Sequence, residues 1–158
     1  MTNKQIQFDD IAAMQKCISD EYGEFGKTVV VDQDRINQFA DVTEDHQWIH
    51  VDIERAKKES PYKTPIAHGF LTLSLLPALE KDPFEIIGYG NAINYGSDKL
   101  RFLSPVPAGS KIHARSRLIS AEAGKHGTRV EMMIEIHVVG SNRPALVYSE
   151  ILLYMPEA

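Results

Sequence analysis

GFLTLSLLPAL, Gly69 to Leu79, is the stretch on which the fold turns. Phe70, Leu71, Leu73, Leu75, Leu76 and Leu79 place apolar side chains on nearly every side of a helix, and a helix apolar all round is buried all round. Downstream of it the chain is strand after strand. NAINYG and KLRFL read as extended, and SPVPAGS is a proline- and glycine-marked corner. In KIHARSRLI, Ile112, Ala114 and Leu118 point one way while Lys111, His113, Arg115 and Arg117 point the other. RVEMMIEIHVV alternates in the same manner through Val130, Met132, Ile134, Ile136 and Val138. ALVYSEILLYM is apolar on both faces, the pattern of a central or interfacial strand. A very apolar helix ahead of a run of long strands predicts an α+β domain in which an antiparallel sheet curls around the helix.

Upstream of that helix the pattern changes. Phe8, Ile11, Ala12, Cys17 and Ile18 follow the helical period and Gly23 can end the segment, which predicts a helical N-terminal extension over residues 1–26. KTVVV, Lys27 to Val31, is a short β-branched strand. Asp32 or Asp34 then caps a helix that carries Ile36, Phe39 and Ala40 on one face. Asp52 caps a second short helix, IERAKKE, which Pro61 stops, and SPYKTP is a loop.

The chain has 158 residues, which predicts one domain over 1–158 with enough core to need neither disulfide nor metal staple. A formal net charge of -5 gives no electrostatic reason to expect nucleic-acid binding. The single cysteine, Cys17, reads as a packing residue and fits a reducing cytoplasm. The start MTNKQIQFDD lacks the apolar run of a signal peptide, and FLTLSLLPAL is too short to span a bilayer, so neither export nor membrane insertion is expected.

Chemistry concentrates in DVTEDHQWIHVD, Asp41 to Asp52. Asp45 and His50 are five apart, which on continuous helix would put them on different faces, so a turn or broken helix is expected. The residues alone leave two readings: the pair satisfies a turn, or carboxylate and imidazole together hold a water and move its protons. Zinc would need a third ligand beside His46 and His50, and neither HExxH nor paired cysteines accompany them, so no metal is expected. His68-Gly69 opens the apolar helix. There Gly69 either makes room for the turn or lets a carbonyl approach helix-start N–H groups that lack internal partners. His68 reads as a loop brace. Trp48 and Ile49 pack between the candidate residues, while Asn91, Asn94 and Tyr95 either line a pocket or simply end strands. Arg101, Lys111, Arg115 and Arg117 read as a solvated face or as phosphate contacts.

D45-H-Q-W-I-H50, then IAHGFLTLSLL, then INYGSDKLRFLSPVPAGSKI resemble the MaoC-like (R)-specific enoyl-CoA hydratases of the hot-dog superfamily, and DHQWIHVD looks most like its nodulation protein N-like subgroup. The resemblance covers roughly residues 28–155. It implies a long central helix wrapped by a curved sheet, a homodimer that can assemble further, and reversible hydration of trans-2-enoyl-CoA to (R)-3-hydroxyacyl-CoA. Asp45 and His50 match the catalytic pair and Gly69 matches the backbone donor to the thioester oxygen. Substrate contacts are expected from Gln47, Trp48, His68, Asn94 and Tyr95. Gln47 and Trp48 replace the asparagine and proline usual between the catalytic pair, which bears on substrate preference. The thioester already acidifies C2, so no cofactor is expected, and coenzyme A or an acyl carrier belongs to the substrate. The alternatives are a hot-dog acyl-CoA thioesterase and a non-catalytic acyl-thioester-binding module.

Overall fold

The strand-rich half of the chain builds the frame. The computed structural model describes residues 4–79 and 82–157, so residues 1–3 of the expected N-terminal extension lie outside the described residues. The long strands are β4 (Asn91–Phe102), β5 (Ser110–Gly124), β6 (Gly127–Val138) and β7 (Leu146–Met155). With the short β2 (Val29–Val31) they form an antiparallel sheet in the order β2-β5-β6-β7-β4. The alternation read in the sequence sets its faces. Ile112, Ala114 and Leu118 of β5 and Val130, Met132, Ile134 and Ile136 of β6 are buried on one side. Each of the larger of these side chains removed from water contributes about 1.5–3 kcal/mol. Register shifts beside Gly96 and between Leu118 and Ser120 interrupt the ladders, and irregularities of this kind bend and twist a strand, so the sheet curls.

The apolar helix lies in the hollow of the curl. Leu71, Leu75, Leu76 and Leu79 join the sheet residues and Met14, Val31 and Ile36 in one core. The expected long helix is divided: α5 spans Gly69–Ser74 and α6 spans Leu76–Leu79. Pro77 has no N–H for the Leu73 carbonyl and its ring crowds that turn, so the chain tightens at Leu75, where the Ala78 N–H returns to the Leu75 carbonyl at 2.9 Å. Nor is it buried all round: Phe70 is 61% exposed.

The helices ahead of it form as their caps and stripes predict. Asp32 accepts the Arg35 N–H and starts α2 (Gln33–Thr43), which buries Ile36 and Ala40. Asp52 accepts the Arg55 N–H and starts α4 (Ile53–Glu59). The first residues differ from the helical reading. β1 (Gln5–Gln7) pairs in parallel with β3 (Glu85–Ile87), and α1 covers only Ile11–Gln15. Beyond it the chain runs along β5: the Gly23 N–H donates to the Ser116 carbonyl at 3.0 Å and the Gly26 N–H to the Ala114 carbonyl at 2.8 Å. Because β2 pairs β5 only from Ser110 to Ile112, these edge carbonyls need other donors, and satisfying them outweighs a local helical preference. Arg115 and Arg117 hold this segment as well. Arg115 lies 4.9 Å over both Tyr22 and Phe25, and Arg117 donates to the Ser19 carbonyl at 2.9 Å, so these arginines are engaged within the chain rather than presented to phosphates.

Candidate active site

α2 ends at Thr43, and Glu44 takes a left-handed turn at φ 61 that throws the chain out of the helix. Asp45 comes next, its carboxylate accepting the Gln47 N–H at 3.4 Å and 56% exposed. The chain re-enters a single helical turn, α3 (Trp48–Val51), which carries His50 inward to 8% exposure. This is the broken helix that the Asp–His spacing calls for.

His50 is fixed from several directions. Its Nδ1 lies 2.6 Å from the Ile66 carbonyl, which only accepts, so Nδ1 carries the proton and Nε2 is left with a free lone pair. Its own carbonyl accepts from the Gln33 amide at 2.8 Å, and the same amide nitrogen donates to Asn37 Oδ1 at 2.9 Å. Burial lowers its pKa below the ordinary 6.5 and the nearby His68 adds to that; the Ile66 carbonyl and Asp45 oppose it. His50 is therefore a neutral base at neutral pH.

His68 lies under the pair. Its Nε2 donates to the Asp45 carbonyl at 2.9 Å and its ring stacks on His50 with centroids 3.9 Å apart. A carboxylate oxygen of Asp45 and ring nitrogens of His50 and His68 lie within 4.8 Å of one another, the one candidate metal cluster among the described residues. The donors do not fit an ion. His68 Nε2, the atom 4.0 Å from the Asp45 carboxylate, already holds a proton toward a carbonyl, and the imidazoles lie nearly face to face at 28° instead of aiming lone pairs at a shared point.

His50 opens on a cavity of ≈ 370 Å³. Ile66, Phe70, Phe102, Leu103 and Val106 make it mainly apolar, while Thr72, Ser104 and Tyr62 add hydroxyls. Gly69 lines it too. A Cβ there would stand 2.8 Å from the Phe102 ring, so only glycine leaves its backbone open between the ring and the cavity.

The remaining candidates divide. Gln47 precedes α3 without a side-chain cap bond, and its backbone carbonyl accepts the His50 N–H at 2.9 Å. Trp48 lies against Arg55, 4.4 Å away, and is not among the cavity residues. His46 turns aside to Asp41 at 2.8 Å, a hydrogen bond that raises its pKa. Asn94 and Tyr95 lie on β4 well before Phe102, exposed and away from this cavity, because the edge strand carries them past its other end. His68 is buried against His50 and Asp45 and does not line the cavity either. Gln33, Tyr62 and Phe102 are the residues sequence reasoning missed. A polar residue opening a helix and an aromatic ending a strand carry no local signal of a site.

A curled antiparallel sheet around an apolar helix defines a single hot-dog domain. The chain belongs to the MaoC-like dehydratase family, a family of hydro-lyases: the MaoC like domain matches residues 16–139. It is 42% identical over 149 residues to 3-hydroxyacyl-thioester dehydratase Z of Mycobacterium tuberculosis (strain ATCC 25618 / H37Rv), covering 94% of this chain and 97% of that one. It is 46% identical over 131 residues to Nodulation protein N of Rhizobium leguminosarum bv. viciae, covering 78% and 79%. Among solved structures, the R-hydratase PhaJ1 from Pseudomonas aeruginosa matches with a TM-score of 0.67 at 23% identity, over 87% of this chain and 83% of that one, a likeness of fold.

Proposed function

We propose that this protein is an (R)-specific hydratase that interconverts trans-2-enoyl and (R)-3-hydroxyacyl thioesters. The observation that carries the reading is His50: its Nδ1 proton is committed to the Ile66 carbonyl, one of its ring nitrogens lies within 4.8 Å of an Asp45 carboxylate oxygen, and the residue lines a mainly apolar cavity. In the hydration direction, Asp45 and His50 hold one water. Its oxygen adds to C3, its proton passes to the dyad, and a proton returns from the dyad to C2. No redox step arises, since water is added whole. In this reading, negative charge that builds on the thioester oxygen meets the Gly69 N–H; that Gly69 opens α5 and lines the cavity supports this role. The carrier is coenzyme A or an acyl carrier, and the related dehydratase Z is named for a 3-hydroxyacyl thioester.

The same reading has the enzyme act as a homodimer in the cytoplasm. Among the described residues β4 leaves one edge unpaired, and it exposes Ile93, Tyr95 and Phe102, the kind of edge that a second copy covers. Asn94 and Tyr95 then meet the partner copy instead of their own cavity. Among the described residues no helix is long and apolar enough to cross a membrane.

The test tracks enoyl absorbance when purified protein meets crotonyl-CoA and longer enoyl thioesters, with the product's stereochemistry identified. Formation of the (R)-3-hydroxy product, lost in Asp45→Asn and in His50→Ala with the fold intact, supports the reading. A folded Asp45→Asn protein with near-normal turnover would sink it, and thiol release in place of hydration would move the assignment to a thioesterase.

A further inference from the structure

His68 has more contacts with the dyad than a loop brace needs. Its ring is 3% exposed and wedged between His50, stacked at 3.9 Å, and Phe39, tilted at 5.1 Å. Its Nε2–H fixes the main chain of Asp45, and that nitrogen is 4.0 Å from the Asp45 carboxylate. Its Nδ1 is buried without a hydrogen-bond partner among the described residues. Because Nε2 must carry the proton for the Asp45 carbonyl, Nδ1 is a bare lone pair. The Asp45 side chain is itself exposed, and its carboxylate is held only loosely, by the Gln47 N–H at 3.4 Å and the His68 nitrogen at 4.0 Å. The shorter bond from His68 to the Asp45 carbonyl, at 2.9 Å, helps to keep its main chain near His50.

We propose that His68 is a positioning residue for both members of the dyad: its Nε2–H sets the Asp45 main chain, and its ring face sets and dries His50. The proposal rests on the hydratase reading for its consequence in catalysis, but its physical content is independent of any substrate. The titratable groups that face His50 are His68 from the start of α5, Asp45 from the loop before α3, and Tyr62 from across the cavity. α2 reaches it through the Gln33 amide. The His68 ring withholds water from one face of His50, so removing that ring lets the His50 cation form more easily.

Two variants separate the two contacts. His68→Phe keeps a ring on His50 and deletes the bond to Asp45. His68→Gln keeps an N–H donor and deletes the ring. The first readout is the titration of the His50 ring protons by NMR, with each variant's fold checked by circular dichroism and His50→Ala used to assign the signal. In His68→Gln the His50 midpoint is expected to rise by about half a unit or more. In His68→Phe, which keeps a ring over His50 but loses the electrostatic contribution of the imidazole, it is expected to rise by less. The second readout is turnover of crotonyl-CoA: kcat falls on the order of tenfold to a hundredfold in His68→Phe with KM little changed, as a lost positioning contact predicts. An unmoved His50 midpoint in His68→Gln overturns the stacking role. Wild-type kcat in His68→Phe overturns the Asp45 role, and a raised KM at constant kcat would make His68 a substrate contact instead. If the wild-type protein hydrates no enoyl thioester, the hydratase reading fails, and the NMR titration still decides whether His68 governs His50.

Discussion

Gly69→Ala is the substitution that most directly probes the cavity wall. An alanine Cβ would stand 2.8 Å from Cδ1 and Cε1 of Phe102 and 3.1 Å from its Cγ. Carbon atoms in ordinary contact lie about 3.5–4.0 Å apart, so the ring must retreat by roughly 0.7 Å or more. Overpacking of this kind costs about 1–3 kcal/mol in a closed core. Phe102 is 46% exposed at a strand end and has somewhere to go, which puts the cost at the lower end. Alanine also recovers up to about 1 kcal/mol of helix propensity, less at the first helical position. The net loss is therefore about 0–1 kcal/mol, a fall in Tm of roughly 2–4 °C at most for a domain of this size. Catalysis suffers more. The methyl and the displaced ring narrow the approach to the Gly69 N–H, and loss of one such donor lowers kcat on the order of a hundredfold. Thermal melts and steady-state hydration of crotonyl-CoA measure the two effects. Phe102→Ala completes a double-mutant cycle, in which the double variant should melt higher than the sum of the single changes predicts. Wild-type turnover in folded Gly69→Ala would refute the role of this N–H. Strict additivity with Phe102→Ala would refute the steric argument.

Single contacts give further expectations. Gln33→Leu removes the donor shared by the His50 carbonyl and Asn37 Oδ1, and should cost about 1–2 kcal/mol in urea melts and lower kcat more than it raises KM. Leu118→Ala, at a fully buried position, should cost about 3–5 kcal/mol by the same measurement. For Glu135, burial alone would raise the carboxyl, but hydrogen bonds from Arg115 and His137 together outweigh it and hold the pKa below the ordinary 4.5. A depressed acid stabilises the fold above its unfolded value and loses that contribution as pH falls through the folded one. Glu135→Gln should therefore lower stability at neutral pH and flatten its decline below about pH 4.5, read from melts across pH. His50 is shifted the other way relative to its charge: the lowered imidazole stays neutral in the fold, so the unfolded chain takes up the proton first. Its contribution makes stability fall as pH drops below 6.5, and the acid limb of kcat/KM should lie below 6.5 as well. A limb above 6.5 would contradict a buried, neutral His50.

What the sequence by itself determined are the features with a local physical signature. The period-two alternation of β5 and β6 fixed which side chains face the core, because a strand has only two faces. Asp32 and Asp52 marked helix starts, because a side-chain oxygen beside unpaired N–H groups is a cap wherever the chain goes next. The spacing of Asp45 and His50 required a broken helix, and Glu44 supplies the break. Pro77 carries a local signature too, but the stronger apolar signal of the helix around it masks the break it makes.

Only the tertiary structure decided the contacts between distant segments. Ile66 selects the His50 tautomer from 16 residues away, Gln33 ties the His50 carbonyl from 17, and His68 reaches the Asp45 carbonyl across 23. Phe102 bounds Gly69 from the end of β4, and the segment after α1 gives up helix to serve the open edge of β5. None of these partners has a composition or a period that points to the other. Each is chosen by where the curled sheet brings a free donor or an uncovered ring face, and such positions exist only once the core has closed around the helix.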